Sequence, residues 1–300
     1  MTYIIENANV LIGRELRTRT MIVKDTRIEQ TGNGYGNYAF MKMDLCNYLM
    51  TPSFVFLNSQ ITAIGSSFEM KDYLVNEIIK KGCTTIVTVV EIDYEYEIVQ
   101  KVKKATISLI NSPLDFVICI KIPVKLLTVN LLRICKKEKI PAIFVKLEER
   151  DSFENLPWGW LREAIFPYNA PLIPVVNGKS ERLNKQILTR WCKVVHTEKM
   201  PALSVEIKEN EPLSIPILNK IGLYPSKASL IQGSELSYNL FLKNRETIQQ
   251  HLEHNDLILQ ESLLVTVHKG KVIRYGEEVI YNPGCGEHVK ITTPSFFAIP

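Results

Sequence analysis

The stretch TPSFVFLNSQ, residues 51–60, has the pattern of a buried strand that ends in polar side chains. Pro52 marks its beginning, and an apolar run continues as far as Leu57. Side chains two residues apart on an extended chain point to the same side, so the pattern predicts that Asn58 and Gln60 share one face. In parallel β/α sheets, ligands bind at this end of the strands. Asn58 and Gln60 are therefore candidate ligand-binding residues.

From this strand to residue 208, strand patterns alternate with helix patterns. The predicted strands are residues 54–58, 84–90, 115–122, 141–147, 171–176 and 202–208. The predicted helices are residues 70–82, 95–105, 125–139, 158–166 and 182–196, and each has apolar residues at intervals of three and four. Continuous apolar strands between helices predict a parallel sheet covered by helices. The fold class is therefore α/β, with an incomplete or modified TIM-type β/α barrel.

Both ends of the chain have the pattern of short strands separated by turns. Residues 263–280 predict a hairpin that turns at Lys269 and Gly270. Neither end is long enough to bury a core by itself. We therefore expect a composite β-sandwich from residues 1–51 and 261–300, a barrel-like domain from 52–208, and a linker and covering segment from 209–260. Within that segment, residues 245–255 predict one polar helix.

The composition is that of a globular protein, with 46% hydrophobic and 23% charged residues. The net charge of +4 is small and is spread over amphipathic stretches, which argues against nucleic-acid binding. The six cysteines show no CxxC spacing, as expected of free thiols in a reducing compartment. The sequence has neither a signal-peptide pattern nor an apolar run of about 18 residues. We expect a cytoplasmic protein that does not bind membranes.

Five stretches, in order along the chain, resemble the metal-dependent amidohydrolase superfamily, in particular its dihydropyrimidinase, hydantoinase and dihydroorotase branch. The stretches are NANVLIG with TMIVKDTRIEQTG (7–13 and 20–32), MTPSFVFLNSQ (50–60), KKGCTTIVTV (80–89), IGLYPSKASLIQGSELSYNLFL (221–242) and VTVHKGKVIRYGEEV (265–279). The second is similar to a family strand that reads Pro-Gly-Phe-Ile-Asp-x-His-x-His. The fourth is similar to the family's Gly-Leu-x-Pro-x-Lys-Gly linker.

The resemblance implies a site with one or two divalent metals, which lower the pKa of water and polarise the scissile carbonyl. The family's His-x-His corresponds to Asn58 and Gln60, its carboxylated lysine to Lys146, and its later histidines to Val175 and Glu206. Amides and valine do not supply the imidazole nitrogen that suits zinc. The metal-ligand positions are therefore occupied by residues that do not form a zinc site.

The resemblance also implies two more β/α units, including an eighth strand with a metal-binding Asp. Only about fifteen residues separate Glu206 from the linker-like stretch at 221–242, which leaves no room for them. We therefore expect a degenerate, shortened relative. A sheet of six strands has two open edges, so we expect residues 209–260, the sandwich or another chain to cover them. A homo-oligomer or a protein partner follows as a physical expectation.

The main functional hypothesis is a catalytically inactive amidohydrolase-like protein, a pseudoenzyme with a binding, regulatory or assembly role and no cofactor. One alternative is a metal-dependent hydrolase of cyclic amides, acting on C–N bonds other than peptide bonds. It would use zinc or another divalent metal, with Lys146 and Glu206 as catalytic candidates. Another alternative is a non-catalytic small-molecule sensor that binds an amide or pyrimidine-like ligand through Asn58 and Gln60.

Two further groups of side chains have metal-binding potential. Four carboxylates, Glu91, Asp93, Glu95 and Glu97, follow the second predicted strand. They suit a calcium or general-base role, or a solvated loop at a helix start. The pair His251 and His254 has helical i,i+3 spacing, which suits either a metal or a surface helix.

Overall fold

The computed structural model describes residues 1–13, 15–32, 35, 38–178, 180–243 and 262–294. These residues form two β-sheets and six α-helices. The strands are β1 (Thr2–Ile12), β2 (Glu15–Lys24), β3 (Arg27–Gly32), β4 (Met41–Asp44), β5 (Tyr48–Pro52), β6 (Phe54–Leu57), β7 (Cys83–Glu91), β8 (Asp115–Pro123), β9 (Ile143–Leu147), β10 (Leu172–Val176), β11 (Tyr238–Leu242), β12 (Leu263–His268), β13 (Lys271–Tyr275) and β14 (Glu278–Val279). The helices are α1 (Ser67–Tyr73), α2 (Ile98–Ser108), α3 (Val129–Lys137), α4 (Trp158–Ile165), α5 (Glu181–Thr197) and α6 (Ile215–Ile221). None of the described helices is both long and apolar enough to span a membrane.

The nine-stranded sheet takes strands from both ends of the chain. Its order is β14-β13-β12-β11-β5-β1-β2-β3, and β4 pairs with β1. Strand β11 joins the two halves by pairing antiparallel with β5, from Tyr238 opposite Pro52 to Leu242 opposite Tyr48. The β12–β13 hairpin turns at Lys269 and Gly270, as predicted. The two ends of the chain thus build one continuous sheet. The polar helix predicted at 245–255 lies outside the described residues.

The second sheet is parallel and has the order β10-β9-β8-β7-β6. Its strands match the first five that the apolar runs predict. One face, built around Ile86, Ile120 and Ile143, packs against the surrounding helices. The opposite, inner face carries Val87, Val117, Phe144 and Ile173, which pack against Leu213 and against Leu218, Ile221 and Leu223 in and after α6. Both faces are therefore buried, which explains why the strands are apolar throughout.

The sixth predicted strand, residues 202–208, is absent from the parallel sheet. Only Ala202 bridges β10, where Leu172 N donates to Pro201 O at 2.8 Å and Leu203 N donates to Leu172 O at 2.9 Å. The chain then crosses to the other edge of the sheet, where Asn210 N donates to Leu57 O at 2.9 Å. Seven residues of extended chain reach at most about 25 Å. Residues 203–210 therefore connect the two edges of the sheet and do not form a strand. Such a connection has the same sequence pattern as a strand, which is why the prediction of a sixth strand is wrong.

This crossing segment, residues 201–213, bonds to both edges of the parallel sheet. At β10 it bonds to Leu172, and at β6 Leu213 N donates to Val55 O at 2.9 Å. The strand edges that the sequence left uncovered are thus partly paired by the chain itself.

Gly82 fixes one contact between the two sheets. It ends the helical stretch before β7 in the left-handed conformation, with φ of +78°, which favours glycine. Asn239 Nδ2 of β11 donates to Gly82 O at 3.0 Å. A Cβ atom at position 82 would lie 2.7 Å from Asn239 Nδ2. A glycine therefore permits the close approach of β11 to the start of β7.

Candidate functional site

Three charged side chains meet at the carboxyl end of the parallel sheet, where the resemblance places a catalytic site. Val89, Cys119 and Phe144 point to the inner face of the sheet. Side chains two residues further along a strand point to the same face, so Glu91, Lys121 and Lys146 do so as well. Glu91 Oε1 lies 2.6 Å from Lys121 Nζ and 3.1 Å from Lys146 Nζ. We call these three residues the mouth cluster. The hydrogen bond from Lys121 is the main cause that lowers the pKa of Glu91 below its usual value, and Lys146 adds to it.

Lys146 therefore lies on the fourth strand of the parallel sheet, as the resemblance requires of a carboxylated lysine. Its amine is in an ion pair with Glu91, whereas carboxylation by CO₂ requires a neutral amine. The mouth cluster has two ammonium groups and one carboxylate, so it carries one net positive charge. That net charge disfavours binding of a metal cation at the same place.

Asn58 is fully buried, and its amide group is fully engaged by the protein. Its Nδ2 donates to Tyr73 Oη and to Asn210 Oδ1, both at 2.6 Å, and its Oδ1 accepts from Ile61 N at 2.9 Å. The last bond turns the chain out of the strand, because an Asn side chain can cap the backbone N–H three residues ahead.

Gln60 does not share a face with Asn58, contrary to the prediction. The extended chain ends at Leu57, and Gln60 has helical dihedral angles at the start of a short 3₁₀ turn, Ile61–Ala63. Its side chain is exposed. The period-two argument fails here because the Asn58 cap replaces the strand with a turn.

Glu206 and Val175 lie at the end of β10. Glu206 Oε1 accepts from Val176 N at 2.5 Å, so this carboxylate caps a strand end. Val175 pairs with Lys146 across the two strands. At the opposite edge, beyond β6, Glu209 Oε2 accepts from Ser59 N at 2.8 Å. Glu206 and Glu209 of the crossing segment thus bind backbone N–H groups at the two edges of the sheet.

The carboxylates that follow Glu91 also have partners. Lys101 Nζ lies 2.9 Å from Glu97 and 3.4 Å from Asp93. Glu95 accepts from Asn130 Nδ2 at 2.6 Å and from Thr128 Oγ1, the N-cap of α3. These groups connect loops and helix starts. His251 and His254 lie outside the described residues.

Among the described residues, one group of three potential metal ligands was found, and it lies at the opposite, amino end of the parallel sheet. Asp115, Glu235 and His268 place their ligand atoms within 4.8 Å of one another. Asp115, the first residue of β8, is fully buried, and it accepts from Lys227 Nζ, from Lys269 Nζ at 2.7 Å and from Glu287 N at 2.9 Å. We call Asp115, Lys227, Glu235 and His268 the buried cluster.

The buried cluster already holds a cation of its own. Lys227 Nζ contacts Asp115 and lies 2.5 Å from Glu235 Oε2. His268 is 3.6 Å from Asp115 and 3.8 Å from Glu235, both beyond hydrogen-bond distance. Burial would raise the pKa of Asp115, but the interactions with His268 and Lys227 outweigh it, and the pKa lies well below its usual value. The donors suit zinc in kind, but a metal would have to displace Lys227.

Residue spacing does not predict the buried cluster, because its members are up to 153 positions apart in the sequence, from Asp115 to His268. The one available signal is that Lys227, Glu235 and His268 fall in the two stretches near the end of the chain that carry the family resemblance. Their importance in the structure is to join those stretches to β8.

Comparison with known proteins gives a match in three dimensions only. No protein-family model matches the sequence, and no curated protein matches it. A D-hydantoinase structure matches with a TM-score of 0.68 and 12% identity, over 97% of this chain and 99% of that one. The dihydropyrimidinase of Brevibacillus agri NCHU1002 matches with a TM-score of 0.67 and 10% identity, over 100% of both chains. The chain has the hydantoinase fold.

The L-hydantoinase of Arthrobacter aurescens has the same fold, with a TM-score of 0.58 and 10% identity over 96% of this chain and 99% of that one. The predicted resemblance to the hydantoinase and dihydropyrimidinase branch of the amidohydrolases is thus confirmed for the fold. At these identities the hydantoinase fold does not assign an activity.

Proposed function

We propose that this hydantoinase-fold protein does not carry out metal-dependent hydrolysis and acts as a binding, regulatory or assembly protein. The observation that carries the proposal is the mouth cluster, in which Glu91 pairs with both Lys121 and Lys146. Of the other side chains that would be metal ligands by resemblance, Asn58 and Glu206 are also bonded within the protein, whereas Gln60 is exposed.

Three of the remaining positions, Asn58, Glu206 and Val175, support this proposal in different ways. The amide of Asn58 uses both its nitrogen and its oxygen in protein hydrogen bonds. Glu206 caps Val176, and Val175 has no ligand atom. A divalent ion at the mouth would need at least three free ligands, and it would lie beside the net positive charge of the mouth cluster.

The test is a metal analysis of the purified, untagged full chain after growth with added zinc, manganese and iron. We expect far less than one ion per chain. Near-stoichiometric metal would overturn the proposal, and Glu206→Gln would then be compared with Glu211→Gln. Glu211 is an exposed glutamate of the same segment, and its ion-pair partner among the described residues is Lys208.

The second candidate function is a metal-dependent hydrolase of cyclic amides, and the comparisons favour it over inactivity. The matching structures are named as hydantoinases and dihydropyrimidinases, enzymes that hydrolyse cyclic amides. In this chain, Lys146 and Glu206 are the catalytic candidates of such a hydrolase. Release of Lys146 from Glu91 would have to come first.

The two candidates differ in a direct assay. Hydantoin and dihydrouracil are incubated with the full chain and zinc or manganese, and ring opening is followed by absorbance. Turnover that is lost in Glu206→Gln and kept in Glu211→Gln would establish the hydrolase. The same assay without turnover, together with absent metal, would support the non-catalytic proposal.

The assembly role includes the proposal of a homo-oligomer or a protein partner. Light scattering on the purified chain measures its mass in solution. A mass of one chain at all concentrations would exclude the homo-oligomer and leave the partner to be sought separately.

A further inference from the structure

We propose that the junction between the two sheets contains a second ligand site, which binds a small carboxylate with an apolar body. A cavity of about 320 Å³ lies there, between the β12–β13 hairpin and the amino ends of β7 and β8. It is at the end of the parallel sheet opposite the mouth cluster. Its volume is at the lower end of the range for small-molecule sites, and such sites occur preferentially where domains meet.

The floor of the cavity is buried and apolar. Ile79, Leu114 and Ile273 line it, and each is at least nine-tenths buried. The half-exposed Ile280 extends this surface towards the rim. These four side chains can cover the apolar body of a ligand but provide nothing to bind a charge.

Two polar side chains lie next to each other on the wall. His268 and Lys271 are directly opposite residues of the β12–β13 hairpin, so their Cβ atoms are about 5 Å apart. His268 is 3% exposed, and its Nε2 has no hydrogen-bond partner among the described atoms but lies 3.6 Å from Asp115 Oδ1. Lys271 is exposed and forms no ion pair with any described residue. Because His268 Nε2 faces Asp115, a ligand carboxylate at the rim would bind Lys271.

The charge around the cavity selects an anion. The residues that line it include Lys269 and Lys271 but no aspartate or glutamate. Lys269 is already neutralised by Asp115 and Glu287, so of the lining lysines in the described part of the chain, Lys271 is the one without an ion pair. A free ammonium group beside a buried apolar floor is complementary to an organic acid and has nothing to offer a cation.

The structure also contains a reporter for this site. Cys285 lines the cavity and is exposed, and Cys46 is an exposed thiol between β4 and β5 that does not line it. The buried thiols Cys83, Cys119 and Cys135 will react slowly with a maleimide. The probe is 4-fluorobenzoate, and the rates of N-ethylmaleimide addition to Cys285 and Cys46 are measured by mass spectrometry of peptides from the full chain.

At a probe concentration of about four times its Kd, we expect the reaction of Cys285 to slow about fivefold, since protection follows 1 + [L]/Kd. The reaction of Cys46 should not change. Lys271→Glu should abolish the protection, whereas Lys271→Arg and a distant control, Lys193→Glu on α5, should retain it. The neutral amide 4-fluorobenzamide should give none.

Fluorine NMR of the probe provides a second measurement that does not depend on the reactivity of Cys285. Its resonance should broaden with the wild-type chain and with Lys193→Glu, and remain sharp with Lys271→Glu. The proposal is overturned if neither measurement detects 4-fluorobenzoate at millimolar concentration. Equal effects of the acid and the amide, or full binding by Lys271→Glu, would overturn it as well.

Discussion

The ammonium group of Lys227 contacts the carboxylate of Asp115 where both are almost completely shielded from water, with 8% and 0% of the side chains exposed. The contact joins the segment after α6 to the first residue of the third parallel strand. Glu235 extends it towards β11, because its carboxylate also binds Lys227. A buried ion pair adds little net stability compared with an apolar pair, but loss of one partner leaves a costly charge. This asymmetry makes the contact testable.

Lys227→Met should lower the free energy of unfolding by about 3–5 kcal/mol, because Asp115 and Glu235 would lose the cation between them. Urea denaturation followed by circular dichroism measures the change. The matched control is Lys208→Met, since Lys208 pairs with Glu211 on the surface and should contribute less than about 1 kcal/mol. If Lys227→Met also changed stability by less than this, the cluster would not hold the sheets together.

Stability should depend on pH in the acid range because of Asp115 in the buried cluster. Its pKa is lowered in the folded protein relative to about 3.9 in the unfolded chain. Its contribution to stability is therefore complete above that value and is lost as the pH falls towards the folded-state pKa. The double variant Asp115→Asn/Lys227→Met lacks this titration. Between about pH 5 and pH 2, the wild type should thus lose more unfolding free energy than the double variant, and parallel curves would contradict the assignment.

Asn58→Ala should destabilise the protein by about 2–4 kcal/mol, because Ile61 N, Asn210 Oδ1 and Tyr73 Oη would lose a buried partner. Gln60→Ala, at an exposed position two residues away, should change stability by less than about 0.5 kcal/mol. Thermal and urea unfolding of both variants give the comparison. A stable Asn58→Ala variant with altered ligand response would instead favour the sensor alternative.

Gly82→Ala tests the contact between the sheets. The new methyl group would lie 2.7 Å from Asn239 Nδ2, which is a steric clash. The backbone φ of +78° is also strained for alanine. Gly13→Ala has a similar φ of +61° but no atom within 4 Å, and it isolates the strain at about 1 kcal/mol. The unfolding free energy should fall further for Gly82→Ala than for Gly13→Ala. Equal losses would mean that Asn239 simply moves aside.

The parallel strands could be predicted because burial on both faces leaves a continuous apolar run, as in β7 and β8. Residues 202–208 carry the same kind of pattern, in Val205 and Ile207, yet they cross between sheet edges. Local pattern does not reveal which edge a chain will meet next. The same limit applies to Asn58 and Gln60. There, the hydrogen bond that Ile61 N donates to Asn58 Oδ1 belongs to a turn, in place of the predicted strand.

The charged contacts could be predicted only in part. Lys146 was located on the fourth strand through family resemblance, but its partner Glu91 is on the second strand, and no spacing rule connects them. The buried cluster joins Asp115 to residues more than one hundred positions away. Such pairs depend on the tertiary arrangement, which single-sequence periodicity does not contain.

The crossing segment 201–213 has a consequence for how this architecture changes in length. Its first residues are anchored at β10 and its last at β6, while the residues from 204 to 208 have no strand partner. Both anchors are backbone hydrogen bonds, so they do not depend on the side chains between them. A change of length within residues 204–208 would therefore leave the backbone bonds to β10 and β6 in place.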